Sequence, residues 1–274
     1  MQSQASDPAR SPAHGELLPE RTLRRETLLV LALSLGASAV SALISFIGSL
    51  TASGALADQA ARLNTSRAPD RPWLDLAWQL FGIATALVPV ALVAHLLTRE
   101  GSALRDGLGG LRTVGFDRGR PAFDLGRGAL LAAAIGGSGL ALYLVALKAG
   151  FNLTVVPESL PHVWWRIPVL IASAVQNAVL EEVIVVGYLL RRLGQLNWSP
   201  WAALAASAAL RGSYHLYQGI GGLLGNMAMG VIFVVLYRRW GRVGPLVVAH
   251  ALIDVVAFTG YALFAGKVDW LPTP

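Results

Sequence analysis

Residues 167–190 of the chain read IPVLIASAVQNAVLEEVIVVGYLL, an apolar run that two adjacent acids, Glu181 and Glu182, interrupt. About 20 consecutive apolar residues in a helix cross the hydrocarbon core of a bilayer, so this run predicts a membrane-spanning helix. An ionised side chain near the bilayer centre costs at least ~2.5–3.5 kcal/mol on the most lenient scale. The two acids therefore require polar partners or a wet cavity.

Similar apolar runs recur along the whole sequence. The chain is 54% hydrophobic and only 14% charged, with a mean hydropathy of +0.55, whereas a soluble domain has about 25% charged residues. The pattern predicts an all-α polytopic transmembrane bundle of about seven spans, with six to eight as the range. The candidate spans are 27–50, 74–98, 126–149, 163–191, 199–218, 221–237 and 245–266.

The distribution of charge predicts the organisation and the orientation of the chain. We expect a flexible cytoplasmic tail over 1–26, N-terminal transmembrane helices over 27–150 and a C-terminal domain over 151–270. Of the 22 basic residues, 15 lie in the tail and in the loops expected on the same side, which places the N-terminus in the cytoplasm. The positive residues form no cluster on one soluble face, so we expect the lipid bilayer and no nucleic acid as a partner. The absence of cysteine excludes disulfides and thiolate chemistry.

Six ionisable residues fall inside three of the C-terminal spans and must face one another or a wet cavity. Two adjacent residues of a helix lie about 100° apart, so the paired glutamates are not expected to aim at the same point. One would face the cavity, and its neighbour would support it. Arg211 and His215 are four positions apart, and so are His250 and Asp254, so the two members of each pair lie on the same face of their helix. The six are Glu181, Glu182, Arg211, His215, His250 and Asp254.

These residue types suit the activation of water against an amide bond. A carboxylate in a dry pocket can serve as a general base, and one imidazole can help to orient the water. A second imidazole with another polar group can donate to the oxyanion that develops on the scissile carbonyl. The alternative is a divalent metal such as zinc, held by Glu181, His215 and His250, although no compact His-Glu-x-x-His motif supports it.

The order of these motifs resembles the CPBP family of intramembrane proteases, which includes Rce1-type CAAX prenyl proteases and relatives tied to bacteriocin self-immunity. The family's motifs are Glu-Glu-x-x-x-Arg-Gly, Phe-x-x-x-His and His-x-x-x-Asn or Asp. They match residues 181–187, with Val186 where the arginine belongs, residues 211–215, with Arg211 where the phenylalanine belongs, and residues 250–254 without a change. The resemblance covers roughly 163–266 and identifies 151–270 as a CPBP-like protease domain.

The resemblance implies an endopeptidase in a bacterial cell membrane that acts on a membrane-associated peptide or protein, such as a prenylated CAAX tail. It implies Glu181 as the base that activates water and His215 as the residue that helps to position that water. His250 and Asp254 would stabilise the oxyanion, and Glu182 would be a supporting residue of the site. No metal would be bound.

The two departures from the family motifs suggest an exchange of positions. The cation that is missing at Val186 returns at Arg211 on the next helix, where it could pair with Glu182 or Asp254. Alternatively, the loss of the motif arginine marks a weakened or inactive member.

Two functions from other classes also fit the sequence. The same acids and histidines could form the relay of a proton- or ion-coupled transporter, although no paired half-repeats are present. A catalytically silent membrane scaffold or immunity protein is the third interpretation.

The expected depth of His215 does not fit a protease site directly. Counting the helical rise from the loops places His215 roughly 10 Å further out than Glu181, and the two side chains of a protease site would have to come together across this gap.

Overall fold

A computed structural model describes residues 18–99 and 109–268. Parts of the predicted tail, of the basic loop and of the C-terminal domain, at 1–17, 100–108 and 269–270, lie outside the described residues. The helices are α1 (Glu20–Ala32), α2 (Leu35–Thr51), α3 (Pro72–Ala86), α4 (Val88–Thr98), α5 (Pro121–Lys148), α6 (Arg166–Glu181), α7 (Leu189–Gln195), α8 (Pro200–Ser213), α9 (Ile220–Trp240) and α10 (Gly244–Phe264). The protein is an all-α polytopic bundle, as the hydropathy predicted.

Within the described residues, five continuous helical stretches are long and apolar enough to cross a membrane. They are Pro72–Thr98, Pro121–Lys148, Arg166–Gln195, Ile220–Trp240 and Gly244–Phe264. The pair formed by α1 and α2 is bent by 49° and would be a sixth span. Because α1 already begins at Glu20, the helix starts inside the segment 1–26 that was predicted as a tail.

The fifth predicted span, 199–218, is not one long helix. Its helix α8 has 14 residues, about 21 Å, which is short of the ~30 Å hydrocarbon core. At one end Arg238 donates to the Pro200 carbonyl, and beyond the other end Gly219 bridges to Asn152. The segment therefore traverses the bundle as a short helix followed by a non-helical stretch, and the chain is broken close to His215.

The helix that carries the two glutamates is the centre of the bundle. In its most apolar stretch, 61% of the residues are buried, against 6% for α5, which lies at the periphery. Helix α10 packs against both α5 and α6, and α8 packs against α9. Between α6 and α7 the chain forms a π-helical segment, Glu182–Tyr188, in which every residue is buried. Isolated π-helical turns inside α-helices are frequent at functional sites.

Two short parallel strands lie outside the helical bundle. Strand β1 (Ala60–Arg62) pairs with β2 (Thr154–Val156), with Ala60 opposite Thr154. The pairing ties the connection between α2 and α3 to the connection between α5 and α6. It is local and leaves the all-α class unchanged.

An ion cluster ties the turn between α9 and α10 to the start of α5. Arg242 donates to Asp117 Oδ2 at 3.1 Å and to Asp124 Oδ2 at 2.7 Å. The hydrogen bonds from Arg242 lower the pKa of Asp117, and those to Asp124 and Asp117 raise the pKa of Arg242. The cluster fixes the helix end from which α10 brings His250 into the bundle.

Candidate active site

Glu182 is the centre of a buried polar cluster. Its Oε1 accepts from Arg211 Nη2 at 2.6 Å and contacts His250 Nδ1 at 2.7 Å. Because a carboxylate oxygen only accepts, His250 Nδ1 carries the hydrogen of this contact. The side chains of Glu182 and Arg211 have no exposed surface. Three elements, the π-helical segment, α8 and α10, thus meet at one carboxylate.

Glu181 lies beside this cluster but is less enclosed. Its side chain keeps 11% of its surface exposed, and its Oε2 accepts a hydrogen bond from the Tyr214 hydroxyl at 2.8 Å. The same oxygen lies 3.7 Å from Arg211 Nη1 and 4.0 Å from His250 Nδ1. No hydrogen bond to its other oxygen, Oε1, is formed within the described part of the chain.

The expectation that the two glutamates aim at different points is therefore wrong. Both carboxylates face Arg211 and His250, although Glu182 is closer to each of them. Both residues keep α-helical backbone angles, so their long side chains, and not a change in the backbone, bring the two carboxylates to Arg211 and His250. The accompanying prediction, that one glutamate faces the cavity and its neighbour supports it, stays a prediction; the side-chain exposures are 11% for Glu181 and 0% for Glu182.

His215 joins the cluster through Tyr214, although the count from the loops places it roughly 10 Å further out than Glu181. Helix α8 ends at Ser213, so the next two residues turn inward at the break instead of continuing outward. The Tyr214 ring, whose hydroxyl bonds Glu181, packs on the His215 ring with 4.8 Å between centroids. The count from the loops assumed an unbroken helix through His215, whereas α8 ends before it.

The hydrogen bond of His215 determines which of its nitrogens is available. Its Nδ1 lies 3.0 Å from the Arg211 carbonyl oxygen, which can only accept, so Nδ1 donates. In the neutral ring the proton is then on Nδ1, and Nε2 carries the lone pair. His215 can therefore accept a hydrogen bond from a water molecule next to Glu181.

His250 and Asp254 share a face of α10, as their spacing predicted. His250 Nε2 lies 3.6 Å from Asp254 Oδ2, longer than a hydrogen bond, while Nδ1 is held by Glu182. Asn177 lies against the Asp254 carboxylate and not against Glu181. The imidazole is thus fixed by Glu182 from one side, and its second nitrogen faces Asp254 without a hydrogen bond to it.

Arg211 fits into the bundle because α9 leaves room for it. Its guanidinium lies over the Phe233 ring, 5.2 Å from the centroid, and a Cβ on Gly230 would come within 3.2 Å of its Cδ. The predicted pairing of Arg211 with Glu182 is present; the proposed alternative partner, Asp254, is not bonded to it. Val186, where the family motif has arginine, is fully buried.

Sequence reasoning missed Tyr214. The motif comparison used Arg211 and His215, and Tyr214 is one of the three unspecified positions between them. A tyrosine one position before a candidate active-site histidine carries no spacing signal, because its reach to Glu181 depends on the end of α8.

The donor set suits a divalent metal poorly. Glu181, Glu182 and His250 have ligand atoms within 4.8 Å of one another, and His215, one of the three ligands predicted for a metal, is not part of this group. The shared oxygen of Glu182 already accepts from the buried guanidinium of Arg211. A divalent cation bound there would face a like charge at close range in a medium of low dielectric.

Comparison with known proteins agrees with the motifs. The family model described as type II CAAX prenyl endopeptidase Rce1-like matches residues 163–256, which contain every residue of the cluster. No curated protein and no solved structure matches the chain. The family supports a membrane-embedded protease of the CAAX type in general. The segment from 163 to 256 is therefore Rce1-like, the family that its motifs predicted.

Proposed function

We propose that the protein is an intramembrane endopeptidase in which Glu181 activates a water molecule. The observation that carries this proposal is the difference between the two glutamates. Glu182 is fully buried and bonded to Arg211 and His250, whereas Glu181 is partly open and has an oxygen without a hydrogen bond in the described cluster. Glu182 also has an oxygen without a hydrogen bond, Oε2, but it is buried. Of the two side chains, only that of Glu181 keeps exposed surface where a water molecule can reach its carboxylate.

Two side chains support the geometry that this step needs. The Tyr214 hydroxyl holds Oε2 of Glu181 and leaves Oε1 for the water. His215 Nε2 can accept the second hydrogen of the same water, since Nδ1 is bound to a carbonyl. Water held between a carboxylate and an imidazole is oriented with its lone pair outward, as nucleophilic attack requires.

The reaction follows from these positions. Glu181 takes one proton from the water, and the hydroxide adds to the scissile carbonyl carbon. His250, protonated on both ring nitrogens, keeps its Nδ1–H on Glu182 and donates from Nε2–H to the resulting oxyanion. Glu181 then gives its proton to the amide nitrogen as the carbon–nitrogen bond breaks, which yields a carboxylic acid and an amine. The acid passes its remaining proton to the amine, which leaves a carboxylate and an ammonium group.

Asp254 assists through His250. An ionised carboxylate cannot donate to an oxyanion, so its contribution is to stabilise the positive charge on the imidazole from 3.6 Å. Arg211 lies against both carboxylates, and its charge together with that of a protonated His250 offsets the two negative charges. No step uses a metal, because the guanidinium at this place would repel a divalent cation.

The substrate class comes from the matched family. A CAAX prenyl endopeptidase cuts next to a lipid-modified cysteine, so we propose a membrane-associated peptide or protein with such a tail as the substrate. With the basic loops placed by the positive-inside rule, the N-terminus would be cytoplasmic.

A reconstituted assay tests the proposal. The full-length protein in liposomes is given a fluorogenic peptide that ends in an S-farnesyl cysteine followed by three residues. We expect cleavage by the wild type and a loss of at least about 10³-fold in Glu181→Gln, because the amide cannot accept the proton. Asp70→Asn, an exposed acid away from the cluster, is the matched control and should cleave like the wild type. Equal cleavage by Glu181→Gln would refute the assignment.

A further inference from the structure

A cavity of about 630 Å³ opens beside the candidate active site. It lies between α2, strand β1 and the turn that follows α8. Its volume is within the range of about 300–1,000 Å³ that is usual for ligand sites. The residues that line it include Ser38, Ser41, Ser45, Ala60, Tyr214 and Tyr217.

Tyr214 connects this cavity to the site. Its side chain forms part of the cavity wall, and its hydroxyl donates to Glu181 Oε2 at 2.8 Å. A molecule that fills the cavity therefore ends one side chain away from the proposed base. The cavity and the candidate active site therefore share one wall residue, Tyr214.

Strand β1 presents a free backbone edge on this side. On the side that faces β2, Thr154 N donates to the Gln59 carbonyl and Leu63 N donates to the Val156 carbonyl. Successive residues of a strand point their backbone groups to opposite edges. The N–H and C=O groups of Ala60 and Arg62 therefore point away from β2. Both residues are exposed, and no backbone partner for these groups occurs within residues 18–99 and 109–268. An extended peptide can pair with such an edge.

The opposite wall makes room for a peptide chain. Helix α2 presents serines and alanines to the cavity, and its bulky residues lie elsewhere: Leu43 and Ile44 are 49% and 65% exposed. Because these side chains are small, the space between α2 and β1 stays open. The serine hydroxyls keep the lining compatible with a polar backbone.

We infer that the cavity is the peptide-binding cleft of the protein, in which a substrate segment lies extended and pairs with the free edge of β1. Its scissile carbonyl would reach Glu181 past the Tyr214 ring. This inference rests on the proposed protease function. It also predicts a preference for small side chains at the substrate positions that face α2.

Two pairs of variants test the cleft in the liposome assay with the farnesylated peptide. Ser45→Trp fills the cavity, and Leu43→Trp, on the exposed face of the same helix, is its control. Ala60→Pro removes only the free N–H of the strand edge; Gln59, with φ −98° and ψ 154°, already has the backbone that precedes proline. Ala60→Ser keeps the N–H. We expect at least a tenfold loss of kcat/KM for Ser45→Trp and for Ala60→Pro, and less than a twofold change for the two controls.

A binding measurement separates the cleft from the chemistry. A benzophenone amino acid at position 45 or 43 of the Glu181→Gln protein is photolysed with the same labelled peptide. Crosslinks that form from position 45 but not from position 43, and that excess unlabelled peptide removes, support the cleft. If such crosslinks form but the wild type does not cleave the peptide, the proposed function fails and the cleft stands. Cleavage by the wild type with unchanged rates in Ser45→Trp and Ala60→Pro overturns the cleft and leaves the proposed function standing. Neither cleavage nor crosslinking overturns both.

Discussion

Replacing Arg211 by methionine tests whether the buried cation holds the site together. The guanidinium donates to Glu182 at 2.6 Å and lies 3.7 Å from Glu181, and neither Arg211 nor Glu182 has exposed surface. Removing one partner of a buried pair costs about 3–5 kcal/mol, because the remaining charge is left uncompensated. Since His250 still bonds Glu182, we expect a loss near the lower end, about 3 kcal/mol. Methionine retains most of the side-chain volume, so the effect reports the charge and not a cavity.

The assay is unfolding of the purified protein from detergent micelles by increasing dodecyl sulfate, followed by tryptophan fluorescence. Arg239→Met, an exposed arginine of α9, is the matched control and should change the free energy of unfolding by less than about 0.5 kcal/mol. Adding Glu182→Gln to Arg211→Met removes the orphaned charge and should recover most of the loss. A single variant as stable as the wild type, or a double variant no better than the single one, would refute the reasoning.

Three further predictions concern neighbouring side chains. Tyr214→Phe removes the 2.8 Å bond to Glu181 and should lower kcat about tenfold with KM unchanged, since hydrogen bonds to charged groups contribute about 1.5–3 kcal/mol; a change in KM alone would contradict a positioning role. Val186→Arg together with Arg211→Leu restores the family's arginine position and should recover part of the activity that Arg211→Leu loses, measured as kcat/KM; no recovery would rule out the exchange. Asp117→Asn should lower Tm at pH 7, because its arginine partner holds the pKa of Asp117 below the ordinary value and the ionised form therefore stabilises the fold above about pH 4. The difference in Tm from the wild type should shrink as the pH falls below about 4, and a difference independent of pH would assign the effect to packing.

The sequence predicted those features that depend on composition and spacing. Hydropathy was sufficient for the all-α membrane bundle, because each apolar run must satisfy its backbone within a helix. The four-residue spacing of His250 and Asp254 placed them on one face, and the missing cation at Val186 led to the pairing of Arg211 with Glu182.

The rest depended on side-chain conformations and irregular backbone that hydropathy does not record. The approach of both glutamates to Arg211 depends on how their side chains bend, because the backbone at both residues is ordinary α-helix. The place of His215 in the cluster and the reach of Tyr214 follow from the end of α8 at Ser213, within an apolar run that reads as a full span. The same break lowers the number of spans within the predicted range of six to eight: α8 is too short to cross by itself, and the described residues form five spans, or six with the bent pair of α1 and α2.

The central claim is that Glu181 is the base of a protease. The most direct measurement compares the peptide termini of membrane fractions from host cells that express, at matched levels, the wild type or Glu181→Gln. We predict new termini with the wild type alone, and their sequences would begin to identify the substrate. Identical termini in both samples, under conditions where deletion of the protein has a phenotype, would contradict the account and favour a transporter or a silent scaffold.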